Sequence, residues 1–396
     1  MDKVRLGVVG AGGGMAGAHQ EYFSGIDALQ YTAASELNEE KRNEVVEKYG
    51  VEGYADASEM IASGKVDAIL IACPHYFHPQ YAIEAFEHGV HVLCEKPIAV
   101  TAKAAQEVIE AYEKAKAKHP GLIFAGMFNQ RTRPAWKEIK RLCSDGSLGE
   151  LVRVSWTITD WFRTQAYYDS GGWRATWAGE GGGALINQCP HNLDLLQWFV
   201  GMPAKVTAKI GLGRYHHIEV EDDVTALLEF DNGATGTFIT STGQSPGINR
   251  LEIVGDNGTI IADAHRDDSL TFLRADQPVS EFTQTSTERF GDVPSTTVTF
   301  QSPDAPHGEH ETITRNFIET VSAGGTQDDL VAPGTEMIHG LELGNAILMS
   351  GLQNQSVDLP TDRDAFDQLL EDLKANSTFK KNETVKTNTT MGNSFA

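Results

Sequence analysis

The chain has 396 residues, of which 40% are hydrophobic and 22% charged, a size and composition typical of a folded protein with two domains and not of a disordered one. With 32 Lys and Arg against 55 Asp and Glu, the formal charge is −23, which disfavours nucleic-acid binding and weakly favours a neutral substrate. We find neither an apolar run of the ~20 residues that a membrane span needs nor a signal peptide, and the four cysteines match no zinc or disulfide spacing. We therefore expect a cytoplasmic protein that binds no membrane and no catalytic metal.

The first 127 residues alternate short apolar runs with amphipathic stretches. The runs occupy residues 4–9, 29–34, 68–72, 90–94 and 122–127. Unbroken apolar strands of this length are typical of a parallel sheet that is covered on both faces. Amphipathic stretches at 38–49 and 101–118 carry helix start and stop signals. The alternation predicts a doubly wound α/β domain over residues 1–127.

The pattern changes in the second part of the chain. Apolar and polar residues alternate over 152–159, 205–210, 224–230, 234–240 and 250–254, with turn signals between them. Helices are predicted at 135–142, 192–200, 311–322, 336–350 and 363–375. We therefore expect a C-terminal α+β domain over residues 128–378 with a large, mostly antiparallel open sheet, followed by a disordered polar tail at 379–396.

A glycine-rich loop directly follows the first predicted strand. Glycine permits a tight turn and lets a pyrophosphate approach backbone amides at a helix N-terminus. The spacing departs from strict G-x-G-x-x-G by one extra residue and places alanine third, but its position favours a Rossmann dinucleotide site over a plain turn. The predicted loop residues are Gly10, Gly12, Gly13, Gly14, Met15 and Ala16.

Glu36 closes the second predicted strand. A carboxylate there would accept hydrogen bonds from the ribose hydroxyls of NAD and repel the additional phosphate of NADP. The alternative is an exposed glutamate leading into a helix. Because no arginine precedes Arg42 nearby, we predict NAD rather than NADP.

Three separated motifs then occur in order. The first joins residues 69–78 (ILIACPHYFH) to 91–97 (HVLCEKP), the second is 181–194 (GGGALINQCPHNLD), and the third combines 332–334 (APG) with 340–346 (GLELGNA). Together they resemble the glucose-fructose oxidoreductase and inositol dehydrogenase family, Gfo/Idh/MocA, over nearly the whole chain. The resemblance implies a Rossmann domain, a substrate domain that also forms the oligomer, and NAD-linked oxidation of a sugar-like ring.

The resemblance also implies individual roles. Lys96 matches the family's lysine beside the nicotinamide, and His191 matches its catalytic histidine. Arg131 resembles a position at the cleft between the domains, which we assign to the cofactor. The implied cofactor-lining positions are Cys73, Pro74, His75, His78, Glu95 and Lys96. Family members pair through the open sheet, so we expect a homodimer or homotetramer.

The chemistry of these residue types agrees with the implied roles. Alcohol oxidation needs a base for the hydroxyl proton, and the imidazole of His191 titrates near neutrality. The ammonium of Lys96 would stabilise developing alkoxide charge, or take the proton itself if desolvation lowers its pKa. Both remain open as the primary base. Asn187 stands where many family members carry aspartate, and its amide can orient a ring hydroxyl but cannot accept a proton.

The predicted substrate segment combines aromatic and cationic side chains. Aromatic rings suit the C–H faces of a sugar, and polar groups suit its hydroxyls. The alternative is that the tryptophans only fill the junction of the domains. The candidate substrate residues are Lys96, Arg163, Tyr167, Trp173, Arg174, Asn187 and His191.

Three functions remain open from the sequence. The first is an NAD-dependent dehydrogenase or reductase acting on a neutral sugar, glycoside or inositol-like polyol. The second is a lyase or glycosidase that retains NAD and oxidises its substrate transiently, which Asn187 keeps open. The third is a non-catalytic NAD-binding subunit, against which the presence of both Lys96 and His191 argues.

Overall fold

The fold is described from a computed structural model, which describes residues 3–263, 269–303 and 306–382. The chain forms two compact units. The first contains the described residues of Met1–Thr132 and Pro306–Leu341, and the second those of Arg133–Ala305 and Glu342–Lys386. The division therefore differs from the predicted bounds, because residues 306–341 return to the first unit.

The described residues form fifteen strands and twelve α-helices. The strands are β1 (Val4–Val9), β2 (Leu29–Ser35), β3 (Glu52–Tyr54), β4 (Ala68–Ile71), β5 (His91–Cys94), β6 (Phe124–Gly126), β7 (Leu151–Ile158), β8 (Lys205–Leu212), β9 (Glu221–Glu229), β10 (Thr235–Ser241), β11 (Asn249–Gly255), β12 (Gly258–Asp263), β13 (Ser269–Ala275), β14 (Ser295–Phe300) and β15 (Val357–Asp358). The helices are α1 (Gly14–Gln20), α2 (Glu39–Tyr49), α3 (Ala57–Ala62), α4 (His78–Glu87), α5 (Ala102–Lys116), α6 (Pro134–Ser144), α7 (Gln165–Asp169), α8 (Pro190–Val200), α9 (Val279–Thr285), α10 (Glu309–Ala323), α11 (Met337–Gln353) and α12 (Arg363–Asn376).

The first unit is built on a six-stranded parallel sheet in the order β3-β2-β1-β4-β5-β6. Every residue of β4 is buried, as expected for a strand covered on both faces. β1 lies between β2 and β4, so the strand order reverses at the junction of β1 and β4. In such sheets ligands bind beyond the carboxyl ends of the strands at this junction.

The returning segment completes the core of the first unit. α10 buries Phe317 and Ile318, and the amide of Gly126 in β6 donates to the carbonyl of Ala332 at 2.9 Å. The segment thus buries the apolar face of α10 and pairs with the edge of β6. A single domain boundary near residue 128 therefore does not describe the first unit.

The second unit is built on a nine-stranded sheet in the order β14-β13-β12-β11-β7-β10-β9-β8-β15. β7 and β10 are parallel, and the other pairs are antiparallel. Helices α6 and α8 cover one face, where the rings of Trp136 and Phe199 lie 5.8 and 6.3 Å from that of Trp156. The predicted parallel sheet and the predicted mostly antiparallel sheet are both confirmed.

Some elements differ from the sequence prediction. The strand predicted from residue 224 begins at Glu221, because the carboxylates of Glu221 and Asp222 are buried and accept backbone hydrogen bonds. Residues 383–396 of the predicted tail lie outside the described residues. Within the part that the structure describes, no helix is both long enough and apolar enough to span a bilayer.

Candidate active site

The glycine-rich loop lies at the end of β1. Gly10 has a φ of +78°, and a Cβ there would approach the Cα of Cys73 to 2.9 Å. The amide of Gly13 donates to the carbonyl of Gly10 at 3.0 Å, which closes the turn. Side chains at these positions would fill the space that a pyrophosphate needs. The loop leads into α1, which carries Gly14, Met15 and the buried Ala16.

Glu36 follows β2 and faces this loop. Its Oε2 accepts from the amide of Gly12 at 3.1 Å, and its Oε1 accepts from the amide of Asn38 at 2.9 Å. The guanidinium of Arg42 donates to the backbone carbonyl of Glu36 at 2.8 Å. A carboxylate therefore stands beside the loop, and the nearby arginine is turned toward the backbone. This arrangement suits ribose hydroxyls and disfavours a phosphate.

The loop after β4 brings together the residues that were predicted from the first motif. The two ring nitrogens of the buried His78 lie 2.7 Å from the carbonyl oxygens of Cys73 and Pro97. His75 is also buried, with its ring 5.9 Å from that of His78, whereas Pro74 is exposed. Burial raises the pKa of the Cys73 thiol to about 12, so the thiol is neutral. His78 thus fastens the loops after β4 and β5.

Glu95 and Lys96 follow β5, next to a buried polar cluster. The Oε1 of Glu95 lies 2.7 Å from the Nε2 of His19, whose other ring nitrogen contacts the hydroxyl of Tyr22. Burial opposes ionisation of Glu95, but the hydrogen bond with His19 and the nearby positive charges lower its pKa to about 2. Burial lowers the pKa of the neighbouring His310 to about 4. The ionised Glu95 also accepts from the backbone amide of Lys96 at 3.1 Å.

Arg131, the remaining predicted cofactor residue, is deeply buried. It is 1% exposed, and its guanidinium lies 2.5 Å from the carboxylate of Glu336 and over the ring of Phe128. These contacts give Arg131 a role in holding the returning segment to the first unit.

His191 is the second residue of α8 and is 9% exposed. The thiol of Cys189, just before the helix, lies 2.8 Å from the hydroxyl of Thr240. The buried Glu221 accepts from the amide of Gly183 at 2.9 Å, and burial raises the pKa of Glu221 to about 7. The segment that leads to His191 is thus anchored to β9 and β10.

Asn187 donates its side-chain amide to Glu180, which is 2% exposed. The other carboxylate oxygen of Glu180 accepts from the amide of Ala175 at 2.6 Å. Ala175 has a φ of +54°, a left-handed conformation that costs an alanine free energy. Burial raises the pKa of Glu180. Next to the amide that replaces an aspartate, the structure therefore places a buried carboxyl group.

The four candidate residues of the substrate segment lie together. Arg174 donates to the hydroxyl of Tyr167 at 2.8 Å and lies 4.7 Å from the ring centre of Trp173. The guanidinium of Arg163 lies 5.1 Å from the ring centre of Tyr167. Gln188 donates to the same hydroxyl at 3.0 Å. The cluster combines aromatic faces with several donors, as recognition of a carbohydrate requires.

Several of these residues were missed by sequence reasoning. Gln188 stands inside the second motif and Glu180 immediately precedes it, so both had a local signal. His19 and His310 had none, because only the fold brings them to Glu95. Within residues 3–263, 269–303 and 306–382, no three His, Cys, Asp or Glu side chains are grouped to hold a metal ion.

Comparison with known proteins identifies the family. A model of an oxidoreductase family with an NAD-binding Rossmann fold matches residues 4–119, and a model of the GFO/IDH/MocA C-terminal domain matches residues 136–261. The chain belongs to the Gfo/Idh/MocA family. It is an NAD-linked oxidoreductase, and the predicted family and cofactor are confirmed.

Two similar proteins are dehydrogenases of levoglucosan and of myo-inositol. The chain is 26% identical to levoglucosan dehydrogenase of Pseudarthrobacter phenanthrenivorans over 305 residues, which are 68% of this chain and 76% of that protein. It is 27% identical to myo-inositol 2-dehydrogenase of Thermotoga maritima over 273 residues, 67% of this chain and 76% of that one. The predicted enzyme class, a dehydrogenase acting on CH–OH groups, is thereby confirmed.

Solved structures of similar proteins share the architecture. The WlbA dehydrogenase from Bordetella pertussis, in complex with NADH and UDP-GlcNAcA, is 25% identical with a TM-score of 0.73, covering 91% of this chain and 100% of that one. Levoglucosan dehydrogenase in complex with NADH has a TM-score of 0.74 over the same shares at 22% identity, which shows the common fold alone.

Proposed function

We propose that this protein oxidises a ring hydroxyl of a neutral sugar, glycoside or inositol-like polyol with NAD. The observation that carries the proposal is the cluster of Arg163, Tyr167, Trp173 and Arg174, where guanidinium groups and a hydroxyl lie against aromatic rings. A ring with apolar faces and hydroxyl edges matches this combination. The net charge of −23 also favours a neutral substrate over an anionic one.

The first unit would hold the cofactor. The glycine loop from Gly10 to Gly14 would bind the pyrophosphate through backbone amides, and Glu36 would accept from the adenosine ribose. The loops carrying Cys73 and Lys96, tied together through His78, would line the nicotinamide side. Bound NAD supplies the acceptor for the hydride.

Residues of the protein would accept the hydroxyl proton and stabilise the charge that its loss leaves. His191 would accept the hydroxyl proton as general base, and Lys96 would stabilise the negative charge that develops on the oxygen. Ionised Glu95, which accepts from the backbone amide of Lys96, would position that lysine. Asn187, held by Glu180, would orient a neighbouring hydroxyl.

A second function is favoured by one observation. Glu180 is a carboxyl group beside Asn187, and burial raises its pKa, which favours the protonated form that a general acid needs. Retained NAD with transient oxidation, followed by elimination or glycoside cleavage, would use an additional acid of this kind.

We further propose that the protein works in the cytoplasm as a homodimer or homotetramer that pairs through the nine-stranded sheet, without nucleic acid or membrane. Leu227 on β9 and Leu273 on β13 are exposed on one face of this sheet. The adjacent residues Leu228 and Phe272 are buried on its other face. The four cysteines are free, as expected in a reducing compartment.

A panel of inositols, free sugars and glycosides incubated with NAD tests the proposal. Net formation of NADH is expected with at least one neutral ring substrate. Product without net NADH would favour the second function, and NAD binding without turnover of any substrate would contradict both.

The lysine is tested with one variant and one control. Lys96→Met should lower kcat at least about 100-fold, because the charge beside the reacting oxygen is lost, with little change in the Kd for NAD. Lys118→Met, an exposed lysine after α5, serves as the control. Unchanged turnover of Lys96→Met would remove the lysine from the mechanism.

A further inference from the structure

The last described residues run across the segment that carries the proposed substrate residues. After α12, residues 377–382, here called the C-terminal strap, lie along the second unit. The ring of Phe379 lies 4.9 Å from that of His217, and the Nε2 of His217 lies 3.0 Å from the carbonyl oxygen of Lys380. The side-chain amide of Asn382 donates to Asp169 at 3.1 Å.

The central contact of the strap is made by Lys381. Its half-buried ammonium donates to the carbonyl of Gly171 at 2.6 Å and to that of Arg174 at 2.5 Å. These carbonyls lie on either side of Trp173 in sequence. The ammonium is also attracted by the buried Glu180. One lysine thus holds both ends of the turn that presents Trp173 and Arg174.

The turn depends on such contacts because it has no regular structure of its own. Residues 170–189, between α7 and α8, contain neither helix nor strand, and they include Gly171, Gly172 and Gly179. Within the turn the amide of Arg174 donates to the carbonyl of Gly171 at 3.3 Å, a long backbone hydrogen bond, and side-chain hydrogen bonds add to the order of this glycine-containing stretch. Hydrogen bonds that a lysine ammonium donates to two carbonyls are charge-assisted and are stronger than hydrogen bonds between neutral groups.

We propose that Lys381, and with it the C-terminal strap, is a positioning residue that sets the turn at 171–174 for substrate recognition. It holds the backbone of Arg174, whose guanidinium donates to Tyr167 and lies over Trp173. This inference rests on the proposed function, because it assigns those three side chains to the substrate.

Point variants test the inference in the full chain. Lys381→Met keeps the aliphatic stem and removes the donors, and we expect kcat/KM for the ring substrate to fall about tenfold, mainly through KM, with an unchanged Kd for NAD. Lys381→Arg should recover most of that loss. Lys380→Met is the matched control, because only the backbone carbonyl of Lys380 contacts His217.

Truncation separates the strap from the residues beyond it. A chain ending at residue 376 should show the same loss as Lys381→Met, whereas a chain ending at residue 382 should match the full protein. Equal kcat/KM in the full chain and the chain ending at 376 would overturn the inference.

Hydrogen exchange gives a readout that does not require turnover. Amides of residues 171–176 should exchange faster in Lys381→Met than in Lys380→Met. Faster exchange with no turnover by any variant would keep the positioning role and reject the proposed function. Unchanged exchange together with an unchanged KM would overturn the positioning role and leave the proposed function standing.

Discussion

At the residue scale, we predict that Glu36 sets the preference for NAD over NADP. Its carboxylate accepts from the amide of Gly12 at 3.1 Å, so it stands beside the loop where the phosphate of NADP would bring a second negative charge. Glu36→Ala should raise the ratio of kcat/KM for NADP over NAD about tenfold or more, because this repulsion is removed. Glu39→Ala, an exposed glutamate at the start of α2, is the control. An unchanged ratio would place the discrimination elsewhere.

The contact between Asn187 and Glu180 predicts an unusual response to an acidic substitution. Asn187→Asp would place two carboxyl groups in contact, and like charges raise the pKa of one of them. We expect kcat/KM to fall about tenfold at pH 8 and to recover as the pH is lowered. A group with a raised folded-state pKa contributes stability at low pH and loses it as pH rises, so thermal stability should follow the same direction.

The double variant controls that prediction. Glu180→Gln with Asn187→Asp removes the like charge and should abolish the pH-dependent loss, since the glutamine can donate to the new carboxylate. If Asn187→Asp alone is as active and as stable at pH 8 as the parent, the two side chains do not interact as described.

Residues such as Lys96, His191 and Arg174 could be singled out from the sequence because each lies in a continuous motif or in a run of characteristic composition, and their roles stay predictions. Lys381 was not, because its partners lie 207 and 210 positions away in the chain and nothing near it in sequence marks it. Single-sequence patterns report local order, whereas these contacts exist only after the sheet of the second unit has formed.

At the scale of elements, Gly10 in the turn between β1 and α1 should tolerate substitution less well than Gly17 in α1. Gly10→Ala should destabilise the fold by about 1–2 kcal/mol and weaken NAD binding, because φ is +78° and the added Cβ would meet Cys73. Gly17→Ala in α1 is the matched control, since its added Cβ would meet no described atom within 4 Å outside its chain neighbours and the helix's own backbone. Equal urea midpoints for the two variants would contradict this account.

The anchoring of the segment before α8 to β9 should depend on pH. Burial raises the pKa of Glu221 from 4.5 to about 7, so protonated Glu221 favours the folded state. The stabilisation is complete below pH 4.5 and is lost as pH rises through about 7, by up to about 3 kcal/mol. Urea unfolding between pH 5 and 8 measures this slope, which Glu221→Gln should flatten.

The exposed Glu229 at the end of β9 offers the control for that experiment, because Glu229→Gln should leave the slope intact. A slope unchanged by Glu221→Gln would show that other groups produce it.

Buried acidic residues also explain where the prediction of a strand boundary failed. The start of β9 was missed because the hydrophobic pattern treats Glu221 and Asp222 as solvent-exposed, although both are 0% exposed.

At the scale of the whole molecule, the proposed assembly through the outer face of the nine-stranded sheet can be tested. If copies pair through this face, Leu227→Glu should reduce the particle mass in solution to that of one 43.1 kDa chain, because a buried charge opposes the interface. Leu37→Glu, in the first unit and 85% exposed, should leave the mass unchanged. Light scattering after size exclusion decides, and an unchanged mass for Leu227→Glu would exclude pairing at this strand.

The two sheets were predictable because continuous and alternating apolar patterns differ along the chain. The composition of each unit was harder to foresee, because no pattern within 306–341 shows on which sheet its helix packs. α10 carries an ordinary amphipathic face, and the pairing of β6 with residue 333 is a tertiary event.

The return of residues 306–341 to the first unit has a consequence for biosynthesis. A ribosome releases residues 1–132 long before the helix that covers their core, since the whole of 133–305 is translated in between. Until α10 has been synthesised, the surface of the Rossmann sheet that packs against Phe317 therefore stays exposed. We expect chaperones to bind it during that interval, and an expressed fragment ending at residue 132 should aggregate unless α10 is supplied.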